Sequence, residues 1–200
     1  MPAPFISRSD LAVKMGLADD ALEDSEKALQ AVDAACDWIR DLTGQEFNRS
    51  EDDTILMDGT GRDALLLPQL PVESVASVTV AGEEEWMGYS YELHDSGVLM
   101  RTWEAFDITV AASSAIWPKG RNNVEVTYTH GYSDDEFPRS VRMLALERAE
   151  RIYKGSSGVV FETLGQRSVR YGETDLSSSD ELIIRRHTYH RQPSRRVMVS

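Results

Sequence analysis

The sequence predicts an α+β protein: a small helical bundle with a β-rich insertion between its second and third helices, plus an extended C-terminal arm. Three observations predict it. Apolar residues before residue 44 and after residue 138 recur at steps of three and four, the spacing of one helix face. Between about residues 54 and 130 the period falls to two, the spacing of a half-buried strand. The strands follow one another without alternating helices, which argues against a parallel α/β sheet. The corresponding domain reading assigns residues 1–50 and 134–158 to the helical core and 51–133 to the insertion. Residues 159–200 then hold a short strand, a last helix and a basic arm.

Each element has a local reason. Ser9 or Asp10 can cap a short helix, DLAVKM, that Gly16 stops. A second helix is expected from Asp19-Asp20 to Gly44, with Leu22, Ala28, Val32, Cys36, Ile39 and Leu42 on its apolar face. Glu23, Asp24 and Glu26 fall near its start, where the helix dipole favours negative charge. The run TILMDGTGRDALLLPQLPVESVASVTVAG (54–82) reads as a strand, a glycine turn, a second strand and a third strand. Pro68 and Pro71 mark a break, since proline cannot donate inside a central strand. YSYELHDSGVLMR (89–101) reads as a hairpin turning at Asp95-Ser96-Gly97. DITVAA (107–112) and NVEVTYTH (123–130) are further strands; in the second, Val124, Val126 and Tyr128 alternate with Glu125, Thr127 and Thr129.

The pattern then returns to helix. Pro138 fits a first turn, because its missing N–H has no partner there anyway. Val141, Leu144, Ala145, Arg148 and Ile152 trace one face, and Gly155 ends the helix. GSSG (155–158) reads as a flexible joint and RSVRYG (167–172) as a short strand. SSDELIIRRHTYHR (178–191) reads as a last helix, with Ser178 and Glu181 at capping-box spacing.

Composition bounds the function. With 41% apolar and 28% charged residues the chain is expected to fold in water. The N-terminus lacks a basic start followed by an apolar run, so no signal peptide is expected, and ALLL (64–67) is far too short to cross a bilayer. The single cysteine, Cys36, excludes an internal disulfide and a cysteine-rich zinc site; it reads as a small core residue. Residues 181–200 hold five arginines and one acid, a net of +4, so the first 180 residues carry −17. Such a body repels a phosphate backbone. The arm is a separate object that can meet nucleic acid or an acidic protein surface.

Candidate sites each have a bland reading beside the functional one. His130 stands near Asp134 and Asp135 and invites a catalytic reading, but no nucleophile on a strained turn accompanies it. A strand-to-helix junction explains more: Gly131 reverses the chain and the acids precede a helix N-terminus. His187 and His190 can face one metal, yet their neighbours are arginines, which repel a cation. DGTGRD (58–63) spaces oxygens like the start of a calcium loop without the later glutamate, so a tight turn is the simpler reading. Trp86 and Trp103 are either core or interface anchors. No catalytic, cofactor or metal residue is assigned.

Taken in order, ALQAVDAACDWIRDLTGQEF, LMDGTGRDALLLPQLPVESVASVTVAG, GVLMR, WPKGRNNVEVTYTHGYSDDEFPRSVRMLALERAERIY and a closing charged helix resemble the head-to-tail adaptor (connector) proteins of long-tailed bacteriophages. The similarity is to the longer form with a β insertion and spans most of residues 10–190. It implies a structural virion protein, not an enzyme, in the neck at the head–tail junction, made in the host cytoplasm. Members form a ring, usually of twelve copies, between the portal protein and a stopper or other tail-side neck protein. Double-stranded DNA passes through the channel without sequence-specific binding, no membrane is involved and no cofactor is needed. The acids of 19–42 suit a lining that does not grip phosphate. Residues 185–200 would dock on the portal or a neighbouring subunit through Arg185, Arg186, Arg191, Arg195, Arg196, Val197 and Val199. The alternation Val197-Met198-Val199-Ser200 permits strand addition, against the alternative of a frayed tail. The rival function is a nucleic-acid binder that uses the same arginines; an enzyme built on His130 is third.

Overall fold

The computed structural model describes residues 2–85, 87, 90–94, 97–102, 116–155, 162–164, 167–169 and 176–188. Its elements are α1 (Arg8–Lys14), α2 (Glu26–Thr43), β1 (Ser50–Gly59), β2 (Ala64–Leu66), β3 (Val72–Val80), β4 (Glu83–Glu85), β5 (Tyr91–His94), β6 (Val98–Arg101), β7 (Gly120–His130), α3 (Arg139–Tyr153), β8 (Glu162–Leu164), β9 (Arg167–Val169) and α4 (Ser178–His187). The architecture is the α+β arrangement expected, with the strand block between the second and third helices. The chain divides into a helical unit, residues 1–45 with 136–200, and a β unit, residues 46–135. The expected strand DITVAA (107–112), the 156–158 part of the joint, Asp95, Ser96, Trp86, Trp103 and His190 lie outside the described residues.

In the helical unit, α2 and α3 pack on each other and on α1 and α4. Ala28, Ala31, Val32, Ala35, Cys36 and Ile39 of α2 are buried, and so are Val141, Leu144, Ala145 and Ala149 of α3. The alanines and the cysteine let the helices approach closely. Burial pushes the Cys36 thiol up, as a small core residue should be. Phe5 stacks on Phe137 at 5.3 Å, tying the N-terminal segment to the start of α3.

The helix starts correct the sequence reading. α1 is capped by Ser7, with Asp10 closing a capping box, instead of by Ser9 or Asp10. α2 begins after Ser25, whose hydroxyl accepts the Ala28 N–H; residues 19–24 are turns. Four acids within 19–24 favour a helix start there, but it is the Ser25 hydroxyl that makes the cap hydrogen bond. Leu42 is partly exposed and falls off the buried face. Pro138 is the residue before α3 and not its first turn. α4 is capped by Ser177 with Asp180, one residue earlier than Ser178 with Glu181.

The β unit holds a four-stranded antiparallel sheet, β1-β7-β3-β4, and a three-stranded one, β2-β6-β5. One cluster joins them: Val78, Val80, Val124, Val126 and Tyr128 from the first meet Leu65, Leu67, Tyr91, Leu99 and Trp117. Trp117 is fully buried, and its indole N–H donates to the Leu99 carbonyl at 3.1 Å, so the largest side chain leaves no orphan donor. The alternation in β7 is as expected up to Tyr128, with Glu125 exposed between two buried valines; Thr129, expected on the wet face, is buried. Gly97 turns the β5–β6 hairpin at φ 72, a backbone region open to glycine. A small hairpin pairs β8 with β9. Among the described residues no helix is long and apolar enough to cross a membrane.

Candidate functional site

His130 ends β7 and is 2% exposed. Its ring packs on Tyr128, with centroids 5.0 Å apart. Its Nε2 lies 3.2 Å from a carboxylate oxygen of Asp53 on β1, so its acidic partner comes from the neighbouring strand, 77 residues earlier in the chain. Asp134 and Asp135, the acids suggested by proximity in sequence, are exposed in the turn after Gly131. Nδ1 is buried with no hydrogen-bond partner among the described residues. The junction is held by backbone: Gly131 N–H donates to Pro71 C=O at 2.9 Å, and Tyr132 N–H to Phe47 C=O at 2.9 Å. The pair ties β1 to β7 at the end of the sheet. Sequence reasoning missed Asp53, because only the strand register identifies it.

The DGTGRD segment closes on itself. Asp58 accepts the Asn122 N–H at 2.8 Å. The Thr60 hydroxyl accepts the Arg62 N–H and donates to the Ala64 carbonyl. Gly59 is required by space, since a Cβ there would lie 1.8 Å from the Pro118 carbonyl oxygen. The Asp58 and Thr60 oxygens are thus engaged in hydrogen bonds within the β unit. Among the described residues no group of three metal-ligating side chains occurs.

Arg49, just before β1, grips Glu73 of β3 with two guanidinium nitrogens at 2.6 and 3.0 Å and also pairs with Glu51. The Arg49 hydrogen bonds hold the Glu73 carboxyl below its ordinary value, and the two acids raise Arg49. This fork spans the end of β7 between its two neighbours.

A shallow groove on the helical unit is lined by Trp38, Leu144, Glu147, Arg148, Arg151, Leu176 and Asp180. Arg148 lies over the Trp38 ring at 4.7 Å. Burial, then the neighbouring Arg151, lowers the Arg148 pKa, which still leaves the guanidinium charged. The lining offers charge and an aromatic face for a bound side chain, and no serine, threonine or cysteine for nucleophilic chemistry.

Two exposed surfaces each present a large apolar side chain. On α4, Leu182 is 67% exposed, with Arg185 and Arg186 three and four residues on, also exposed and on the same side of the helix. Asp180 and Glu181 fill the first turn of α4 and Arg185 and Arg186 the last, which matches the helix dipole. Burial, then Arg186, lowers the His187 pKa, so its ring is neutral at pH 7. The second surface is the long edge of β1, with Leu56 exposed at its middle. Of the docking residues expected from sequence, Arg185 and Arg186 are thus together on α4; Arg191, Arg195, Arg196, Val197 and Val199 lie outside the described residues.

The family model described as head completion protein matches residues 6–147. No curated protein sequence matches the chain. Among solved structures, a chain from the virion of a native gene transfer agent particle matches with TM-score 0.57 at 16% identity, covering 96% of this chain and 94% of that one. A chain from the neck of the empty particle, computed with C6 symmetry, matches with TM-score 0.52 at 17% identity, covering 96% and 94%. One from the neck of the native particle, computed with C12 symmetry, gives 0.51 at 15% identity, covering 96% of each. At such identities the likeness is one of fold, and it runs nearly end to end.

Proposed function

Because the chain belongs to the head completion protein family, we propose that it is a structural component of a phage-type virion neck, assembled as a ring, and that it makes and breaks no bond. The observation that carries this reading is the end-to-end likeness to chains of particle necks, added to the family match over residues 6–147. Twelve copies is the ring size to expect, by analogy with the neck solved under C12 symmetry. One face of the ring would meet the portal protein and the other a stopper or tail-side neck protein.

The charge distribution supports a passive conduit. The first 180 residues carry −17, and Asp19, Asp20, Glu23, Asp24 and Glu26 are exposed before and at the start of α2. An acidic lining repels DNA phosphates, so DNA passes without being held. The helical core, the β insertion at 51–133 and the segment 159–200 then have separate tasks. The first two form the body of each protomer. The last carries the α4 patch and the basic arm, Arg191, Arg195, Arg196, Val197 and Val199, toward a neighbour. An arm that orders on docking wraps a partner at an entropic cost.

The test is the mass of the purified protein alone and with a portal ring. A symmetric ring, alone or on the portal, is expected. A chain that stays monomeric in both refutes the proposal. Salt-sensitive DNA affinity of the intact chain would instead favour a nucleic-acid binder acting through the arginines.

A further inference from the structure

β1 is the outer strand of its sheet, and among the described residues no strand pairs with its free edge. It runs for 10 residues, against ~5–6 for a common strand. A long open edge is a template for another chain unless it is blocked. The opposite edge is blocked: β4 is three residues long, all glutamate. β1 is blocked only at its start, where Glu51, Asp52 and Asp53 cluster and the register slips around Asp52, at φ 49. From Asp53 to Met57 it pairs regularly with β7. In that open half Leu56 is 59% exposed on the wet face, between Thr54 and Asp58, while Ile55 and Met57 are half-buried on the core side.

The C-terminal arm carries the complementary pattern. Laid antiparallel along β1, Arg196-Val197-Met198-Val199-Ser200 sets Arg196 against Asp58, Met198 against Leu56 and Ser200 against Thr54 on the wet face. Val197 and Val199 fall beside Met57 and Ile55 on the core side. Every pairing in this sheet is antiparallel, and antiparallel pairs are the more stable. The charges match as well: β1 holds four acids and residues 191–196 three arginines.

We propose that the arm of one copy adds as a fifth strand to β1 of the next copy. This rests on the ring reading above. A strand that each copy gives to one neighbour and receives from the other is a head-to-tail contact, which closes into a ring when the rotation fits. Backbone hydrogen bonds supply the affinity, and the Leu56–Met198 and Asp58–Arg196 pairs set the register.

Full-length Leu56→Cys and Met198→Cys chains, mixed at high concentration under mild oxidation, test it. Leu56 is exposed, so its cysteine leaves the core intact, and Cys36 is buried. The expected result is a disulfide-linked dimer of the two variants. Its yield should fall about five-fold when Asp58→Arg is added, the scale of one cross-strand pair made repulsive. It should recover when the partner carries Arg196→Asp. Absence of the dimer overturns the proposal. So does an equal yield from Gln192→Cys in place of Met198→Cys, or closure only within single chains of the double variant. A ring that assembles without the cross-link overturns the edge contact and spares the neck reading. A cross-link without any ring supports the edge contact and overturns the neck reading.

Discussion

Replacing Gly131 by alanine probes the junction where the last strand of the insertion hands over to α3. Gly131 has φ +90, and a Cβ built on it would lie 2.3 Å from the Asn48 carbonyl oxygen, 2.7 Å from its carbon and 3.0 Å from the Arg49 Cα. All three atoms are backbone. They are fixed by the bridge between Asn48 and Tyr132 and by the Tyr132-to-Phe47 hydrogen bond. The left-handed backbone costs an alanine roughly 1–2 kcal/mol, and forcing a methyl group into rigid surroundings adds roughly 1–3 kcal/mol. The sum, about 2–5 kcal/mol, is a large part of a typical domain stability of about 5–15 kcal/mol. Gly82 is the control: it has φ +93, and a methyl group there would find nothing within 4 Å, so alanine meets the strain without the clash. Urea unfolding followed by tryptophan fluorescence measures both variants. With a slope of about 1–3 kcal/mol per molar urea, the two midpoints should differ by about 1 M, Gly131→Ala being the weaker. A Gly131→Ala midpoint equal to or above that of Gly82→Ala refutes the packing argument.

Two further outcomes are expected. Ser177→Ala removes the oxygen that accepts the Asp180 N–H at 3.2 Å and leaves half of the capping box, at a cost of about 1 kcal/mol. α4 has only ten residues, so amide exchange across 178–187 should speed up about five-fold; unchanged exchange would show that packing alone holds this helix. Glu73 has its folded pKa lowered by Arg49. The stability it contributes is therefore present above the ordinary carboxylate value and lost as the pH falls through the lowered folded one. Glu73→Gln should lower the urea midpoint slightly near neutral pH and leave it unchanged below the lowered folded value, which makes the acid limb of a plot of midpoint against pH shallower; the effect is small because the pair is exposed. An acid limb as steep as that of the unaltered chain would contradict the assignment.

The sequence carried much of the fold because much of the fold is periodic. The alternation of Val124, Val126 and Tyr128 with Glu125 and Thr127 marked both the strand and its buried face, and burial follows that alternation. The alanine-rich stripe of α2 and the Gly44 stop, at φ 67, were equally legible. At α1 and α4 the caps were misplaced by one to three residues for a physical reason. Ser7, Ser9 and Asp10 at one helix, and Ser177, Ser178, Ser179 and Asp180 at another, offer several oxygens within one turn. Only the backbone angle at the cap chooses among them.

The docking candidates divide the same way. The arginines at 185 and 186 were visible as charge, but Leu182 as the apolar centre of that patch follows from the face that α4 turns outward. The β1 edge was invisible, since a strand in isolation does not say whether one or two neighbours flank it.

By itself the sequence determined the order of helices and strands, the core faces and the split between an acidic body and a basic arm. These depend on residues a few positions apart and on summed charge. The tertiary structure alone decided that His130 meets Asp53, that Arg49 spans to Glu73 and that, among the described residues, β1 lies last in its sheet. Each of those joins residues 24 to 77 positions apart or depends on which strand lies last in the sheet. Such relations arise only once the chain closes its loops and the sheet takes its register.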